Sequence, residues 1–108
     1  MTALVPISLP LAGCITVVDP DGVPALKLAG EIDAETVAAY ERMRSSLVEV
    51  SAVDLSEVTF LSSSAVSFLI RRTQPTRERG QLPVIAGVSG HARRVLELLG
   101  ATRLFAAI

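Results

Sequence analysis

The chain has 108 residues, half of them hydrophobic, with three Phe, one Tyr, no Trp and a formal net charge of −1. That length fits one domain with an aliphatic core, and so small a net charge supplies no field for nucleic acid or an acidic membrane surface. One cysteine, Cys14, rules out an internal disulfide and fits a reducing cytoplasm, and no apolar run reaches the roughly 18 residues a membrane helix needs, so no membrane insertion is expected.

Residues 2–12 are an apolar lead-in, broken by Pro6 and Pro10, with the character of an edge strand. Leu11-Ala12-Gly13-Cys14 matches a lipoprotein cleavage box. No Lys or Arg precedes it and the prolines interrupt the apolar segment, so Cys14 is assigned to the first strand, Cys14 to Val18. Asp19-Pro20-Asp21-Gly22 has turn chemistry, and Val23 to Ala29 reads as a second strand that pairs back as a hairpin. Asp33 is a good N-cap with Thr36 three residues on, and Val37, Tyr40, Met43, Leu47 and Val48 give a helical period to about Val50.

Val53 to Leu55 reads as a central buried strand, followed by a short loop and then Ser62-Ser63-Ser64. Three consecutive hydroxyls would carry unmet hydrogen bonds inside a strand, but at a helix start they accept from the free N–H groups. Ala65, Phe68 and Leu69 continue at helical spacing. Such a helix start is either simply serine-capped or a place where a phosphate sits well, because the dipole and the amides favour negative charge. The helix is expected to kink or break near Gln74, ahead of Pro75, and to end at Gly80. Leu82 to Ala86 reads as a strand, Gly87 to Gly90 as a tight loop, and Ser89 as the cap of a last helix. Val95, Leu96, Leu98 and Leu99 form that helix's apolar side, Gly100 stops it, and Leu104 to Ile108 reads as a final strand. The order β-β-α-β-α-β-α-β predicts an α/β domain whose sheet is largely parallel, packed against helices, with an antiparallel hairpin at one side.

No catalytic constellation or cofactor site emerges from these residues. The single histidine, His91, falls on an expected exposed helix start. Gly87-Val88-Ser89-Gly90-His91 only half resembles a nucleophile elbow, which needs its second glycine at 91 rather than at 90. One Cys and one His make no metal cluster, and no Gly-Lys-Ser/Thr follows the glycines. Arg71, Arg72, Arg77, Arg79, Arg93 and Arg94 read as solvated helix faces or as a docking patch for an acidic partner.

Three segments carry a family resemblance. Gly30-Glu31-Ile32-Asp33 resembles the Gly-Glu-(Ile/Leu)-Asp signature of STAS domains. Val53-Asp54-Leu55-Ser56, running through Phe60-Leu61-Ser62-Ser63-Ser64-Ala65-Val66, resembles their Asp-Leu-Ser…Asp-Ser-Ser-Gly-Leu segment. Gly87-Val88-Ser89 with Arg93-Arg94-Val95-Leu96-Glu97-Leu98-Leu99-Gly100 resembles their last helix. The resemblance covers residue 14 to the end and is nearest to bacterial anti-sigma-factor antagonists; 1–108 is then a single STAS domain.

The resemblance implies a partner switch. The domain would bind an anti-sigma factor that is also a serine kinase of the GHKL ATPase type, freeing a sigma factor. Phosphorylation would release it, and a PP2C-type phosphatase would reset it. The family's phosphoacceptor falls on Ser64, with Ser63 the alternate, and the partner surface on Asp33, Ser62, Ser63, Ser64, Ala65 and Val66. Ser62 stands where the family has Asp, and Ala65 where it has Gly. Ser62 supplies the cap without the charge. A constitutive, unphosphorylated antagonist and a STAS subunit of a lipid-transport ABC system are the alternatives.

Overall fold

The two apolar stretches flanking the expected turn do pair as a hairpin. In the computed structural model, which describes residues 13–19, 24–43 and 49–106, β1 (Cys14–Val18) lies antiparallel to β2 (Ala25–Ile32), with Cys14 opposite Ala29 and Val18 opposite Ala25. β2 then pairs in parallel with β3 (Ala52–Leu61), and β3 in parallel with β4 (Val84–Val88), giving the sheet order β1-β2-β3-β4. Helices α1 (Ala34–Met43), α2 (Ser63–Glu78) and α3 (Gly90–Leu98) follow β2, β3 and β4 in turn, and a short 3-10 turn spans Thr102–Leu104. This is the expected α/β architecture, a mixed sheet that is mostly parallel.

The alternation of side chains decides which face of the sheet holds the core. Leu26, Leu28 and Ile32 of β2 and Val53, Leu55, Val58 and Leu61 of β3 are buried together with Val37, Phe68, Leu69, Ala92 and Leu96 from the helices. Lys27 and Glu57 point the other way and pair in solvent, Nζ to Oε2, at 3.1 Å. Tyr40 of α1 meets Phe68 of α2 edge-on, with ring centroids 5.7 Å apart.

Several expectations are corrected. β3 is not confined to Val53 to Leu55 with a loop after it. It runs on to Leu61, through Ser56, Glu57 and Thr59. Ser56 and Glu57 are consecutive exposed residues, because one extra residue bulges there: Lys27 pairs with Asp54, but Ala29 pairs with Glu57. Asp54 Oδ1 accepts from the Ser56 N–H at 2.9 Å and the Ser56 hydroxyl at 2.7 Å, which fixes the bulge. Both bonds, the hydroxyl's first, hold the Asp54 carboxyl below its ordinary pKa. Gly87 lies over this turn, where an added Cβ would sit 3.1 Å from Asp54 Oδ1 and from Ser56 Cβ. Gly87 and Val88 are accordingly strand residues rather than a loop, and the strand expected from Leu82 begins at Val84, after Pro83, which has no N–H for the ladder.

Helix α2 is assigned without a break through Pro75. The Thr73 hydroxyl donates to the Leu69 carbonyl at 2.7 Å and the Arg77 guanidinium donates to the Ile70 carbonyl, while the Thr76 hydroxyl donates to the Val50 carbonyl at 3.2 Å. Arg77 is not a solvated arginine: it also reaches the Leu104 carbonyl and lies over the Phe105 ring, and burial lowers its pKa. Arg71 and Arg79 are exposed and pair with Glu41 and Glu49.

Helix α1 is described over Ala34–Met43; Arg44 to Val48 lie outside the described residues, as does the lead-in 1–12, and Glu49 and Val50, at the expected end of the helix, are not helical. Met43 is 85% exposed, and Leu98 and Leu99 are also exposed, so three residues assigned to apolar helix faces are not in the core. Of the expected final strand, Ala106 makes a parallel bridge beside Val84, and Ala107 and Ile108 lie outside the described residues. Thr102–Leu104 instead wind into the 3-10 turn, and Arg77 occupies the Leu104 carbonyl.

Candidate functional site

The parallel pairing of β2 and β3 brings two helix starts side by side. The strands finish level, Ile32 opposite Leu61, and the Ser62 N–H donates to the Ile32 carbonyl at 3.0 Å. The next residue on each strand caps a helix. Asp33 Oδ1 accepts from the Thr36 N–H and the Thr36 hydroxyl, each at 2.9 Å, and the Asp33 carbonyl accepts from the Val37 N–H. Ser62 is extended (φ −80°, ψ 164°), and its hydroxyl accepts from the Ala65 N–H at 3.1 Å. Open α/β sheets characteristically place sites at the carboxyl ends of parallel strands, where helix N-termini gather.

Gly30 makes the level finish attainable. Its φ of +79° suits glycine, and at that point the pairing gains one residue in β3, from Gly30 opposite Val58 to Glu31 opposite Phe60. The Gly-Glu-Ile-Asp segment is therefore a bend, two strand residues and a cap.

Ser63 and Ser64 are the first two residues of α2, and both are exposed. Ala65 and Val66, expected at the partner surface, are instead buried at 0% and 3% exposure. They seat the helix in the core and leave the two serines outside. Asp33 stays ionised: the Thr36 N–H, then the Thr36 hydroxyl, favour its charged form and lower its pKa. The arrangement is an exposed pair of hydroxyls at the positive end of a helix, beside a fixed carboxylate.

α3 starts further back along β3, where the Ser89 N–H donates to the Leu55 carbonyl at 3.0 Å. Ser89 caps it as expected, its hydroxyl accepting from the Ala92 N–H. His91 is exposed at that helix start, its ring 5.8 Å from that of Phe60, and Phe60 itself is 43% exposed. Among the described residues, no group of three or more His, Cys, Asp or Glu is placed to hold a metal ion, and no helix is long and apolar enough to cross a membrane.

Two features were missed by sequence reasoning. The Asp54–Ser56 turn carried a signal, since a carboxylate two residues before a serine forms such a turn, but it sits inside a strand pattern. The other is a groove between β1 and α1, which needs the packing of two elements distant in the chain.

Comparison with known proteins agrees with this architecture. The family model described as "Mlab, STAS domain" matches residues 15–106. The chain is 32% identical over 102 residues to the anti-sigma-F factor antagonist RsfB of Mycobacterium tuberculosis, in strains CDC 1551 / Oshkosh and ATCC 25618 / H37Rv alike, covering 91% of this chain and 83% of the relative. It is similar to the crystal structure of an anti-sigma factor antagonist from Mycobacterium paratuberculosis, with a TM-score of 0.72 and 28% identity, covering 93% of this chain and 88% of that one. On sequence, on strand order and on the capped helix start after β3, the chain belongs to the STAS domain family.

Proposed function

We propose that this chain is an anti-sigma factor antagonist that works by binding rather than by catalysis. It takes hold of an anti-sigma factor with GHKL-type serine kinase activity and so frees a sigma factor in the cytoplasm. Phosphorylation of Ser64, with Ser63 the alternate acceptor, ends the complex, and a PP2C-type phosphatase restores it. The observation that carries this reading is the exposed Ser63–Ser64 pair opening α2 beside Asp33, in a chain similar to named antagonists.

The physics supports a switch that leaves the fold intact. A phosphate adds about −1.5 to −2 charge at pH 7, and at a helix N-terminus that charge is stabilised by the dipole. In a docked interface the same charge must be desolvated next to ionised Asp33, which opposes binding. A penalty of about 3 kcal/mol would weaken the complex roughly a hundredfold.

The test is calorimetric titration of each purified anti-sigma factor of the host with wild type and Ser64→Glu. One factor binding wild type, and binding Ser64→Glu at least tenfold more weakly, is the expected result. Equal binding of both proteins points to a constitutive antagonist. Binding by no anti-sigma factor overturns the antagonist reading and leaves the lipid-transport subunit.

A further inference from the structure

Apolar and cationic side chains meet on one outward flank of α3. Ala92 and Leu96 turn inward and are buried, so His91, Arg94 and Leu98, at positions i, i+3 and i+7, share an exposed face. The His91 ring lies 5.8 Å from that of half-exposed Phe60, tilted by 31°. Phe60 comes two residues before the Ser62 cap, so a ridge begins at the start of α2 and runs along α3 to Leu98. The core gives the ridge no task. Leu98 is 76% exposed, and it is Ala92 and Leu96 that seat the helix. The exposed arginines of α2 and its C-cap differ, because Arg71 and Arg79 pair with Glu41 and Glu49. Arg94 is exposed and, among the described residues, makes no ion pair, although Glu97 is within one turn of it. Aromatic rings and arginines are enriched where proteins meet, and apolar anchors at helical spacing are how one helix lies against another.

We propose that this ridge docks an acidic amphipathic helix of the anti-sigma partner. The proposal rests on the antagonist reading and adds to it the chemistry of one partner segment. Apolar side chains of that helix cover Phe60 and Leu98, and a carboxylate on it pairs with Arg94. Charge favours a protein helix over an anionic lipid surface, because the chain's net charge is −1 and Glu97 stands beside the cations of α3. Arg94 and Leu98 are on a different helix from Ser64, so this contact supplies affinity and partner selection apart from the phosphorylation site.

The experiment is calorimetric titration of the full chain with each purified anti-sigma factor of the host, comparing wild type, Arg94→Ala, Leu98→Ser and Arg71→Ala. The last removes the same charge from α2, off the ridge. Arg94→Ala is expected to weaken binding about tenfold and flatten its salt dependence. Leu98→Ser is expected to weaken it at least threefold, and Arg71→Ala less than twofold. Urea denaturation of both ridge variants should match wild type, since both positions are exposed. A factor that binds wild type and is weakened by Ser64→Glu, yet binds both ridge variants as tightly as wild type, overturns the ridge and leaves the antagonist reading standing. Binding by no anti-sigma factor overturns both. If the chain alone floats with phosphatidylglycerol vesicles and Arg94→Ala does not, the occupant is a lipid surface and the proposal falls.

Discussion

Replacing Ser62 with Ala isolates the group on which the start of α2 depends. The Ser62 hydroxyl accepts from the Ala65 N–H at 3.1 Å, and Ala65 is fully buried, so water is poorly placed to take over that donor. Loss of a serine cap costs about 0.5–2 kcal/mol, and an unmet buried donor puts this one in the upper half of that range, about 1–2 kcal/mol. For a domain near 100 residues that corresponds to a fall of roughly 5–15 °C in Tm. Ser62→Asp restores the residue the family carries there. It keeps the acceptor and adds charge at the helix dipole, but places that charge beside Asp33; the opposed effects leave stability within about 0.5 kcal/mol of wild type. Ser67→Ala, on the exposed side of α2, serves as the control and should also fall within about 0.5 kcal/mol. Urea denaturation of the four proteins measures all of this. A Ser62→Ala protein as stable as wild type, or a Ser62→Asp protein as damaged as Ser62→Ala, refutes the assignment of Ser62 as the cap that holds the site.

Three other outcomes are expected. Gly30→Ala forces a φ of +79° on a residue with a Cβ and should cost more than about 1 kcal/mol in thermal denaturation, whereas unchanged stability would contradict the bend. Phe68→Ala empties a fully buried ring site against Tyr40 and should cost about 3–5 kcal/mol by urea denaturation; a loss below about 1.5 kcal/mol would show that the ring is not central to the core. Asp54 has a lowered folded pKa, so its contribution is complete above the unfolded value of about 3.9 and is lost as pH falls through the folded one. Asp54→Asn should therefore lose less unfolding free energy between pH 7 and pH 3 than wild type, and equal losses would exclude the Asp54–Ser56 turn as a source of acid sensitivity.

The caps were the part of the site most open to reading from sequence. Asp33, Ser62 and Ser89 all bond as their residue types and spacing imply, because capping is local chemistry. What sequence could not show was which of the residues after Ser62 face outward. Ser64 and Ala65 are neighbours, yet one is exposed and the other fully buried, and only the packing of α2 on the sheet decides that. β3 was read short for a similar reason. Its bulge at Ser56 and Glu57 breaks the two-residue alternation by which a strand is recognised. Arg77 was misread for a long-range reason, its inward turn onto the carbonyls of Ile70 and Leu104. Nothing in the local pattern distinguishes that arginine from the exposed Arg71 and Arg79.

Ser62 bears on the switch as well as on the fold. A serine there caps the helix as an aspartate would but without its charge, and the capping carboxylate is Asp33, at the neighbouring start of α1.

The most direct test is the intact mass of wild type, Ser64→Ala and Ser63→Ala after incubation with ATP and each purified anti-sigma kinase of the host. One added phosphate on wild type and Ser63→Ala, absent from Ser64→Ala, is the predicted result. A kinase that forms a stable complex with the chain yet adds no phosphate to any of the three proteins would contradict the switch.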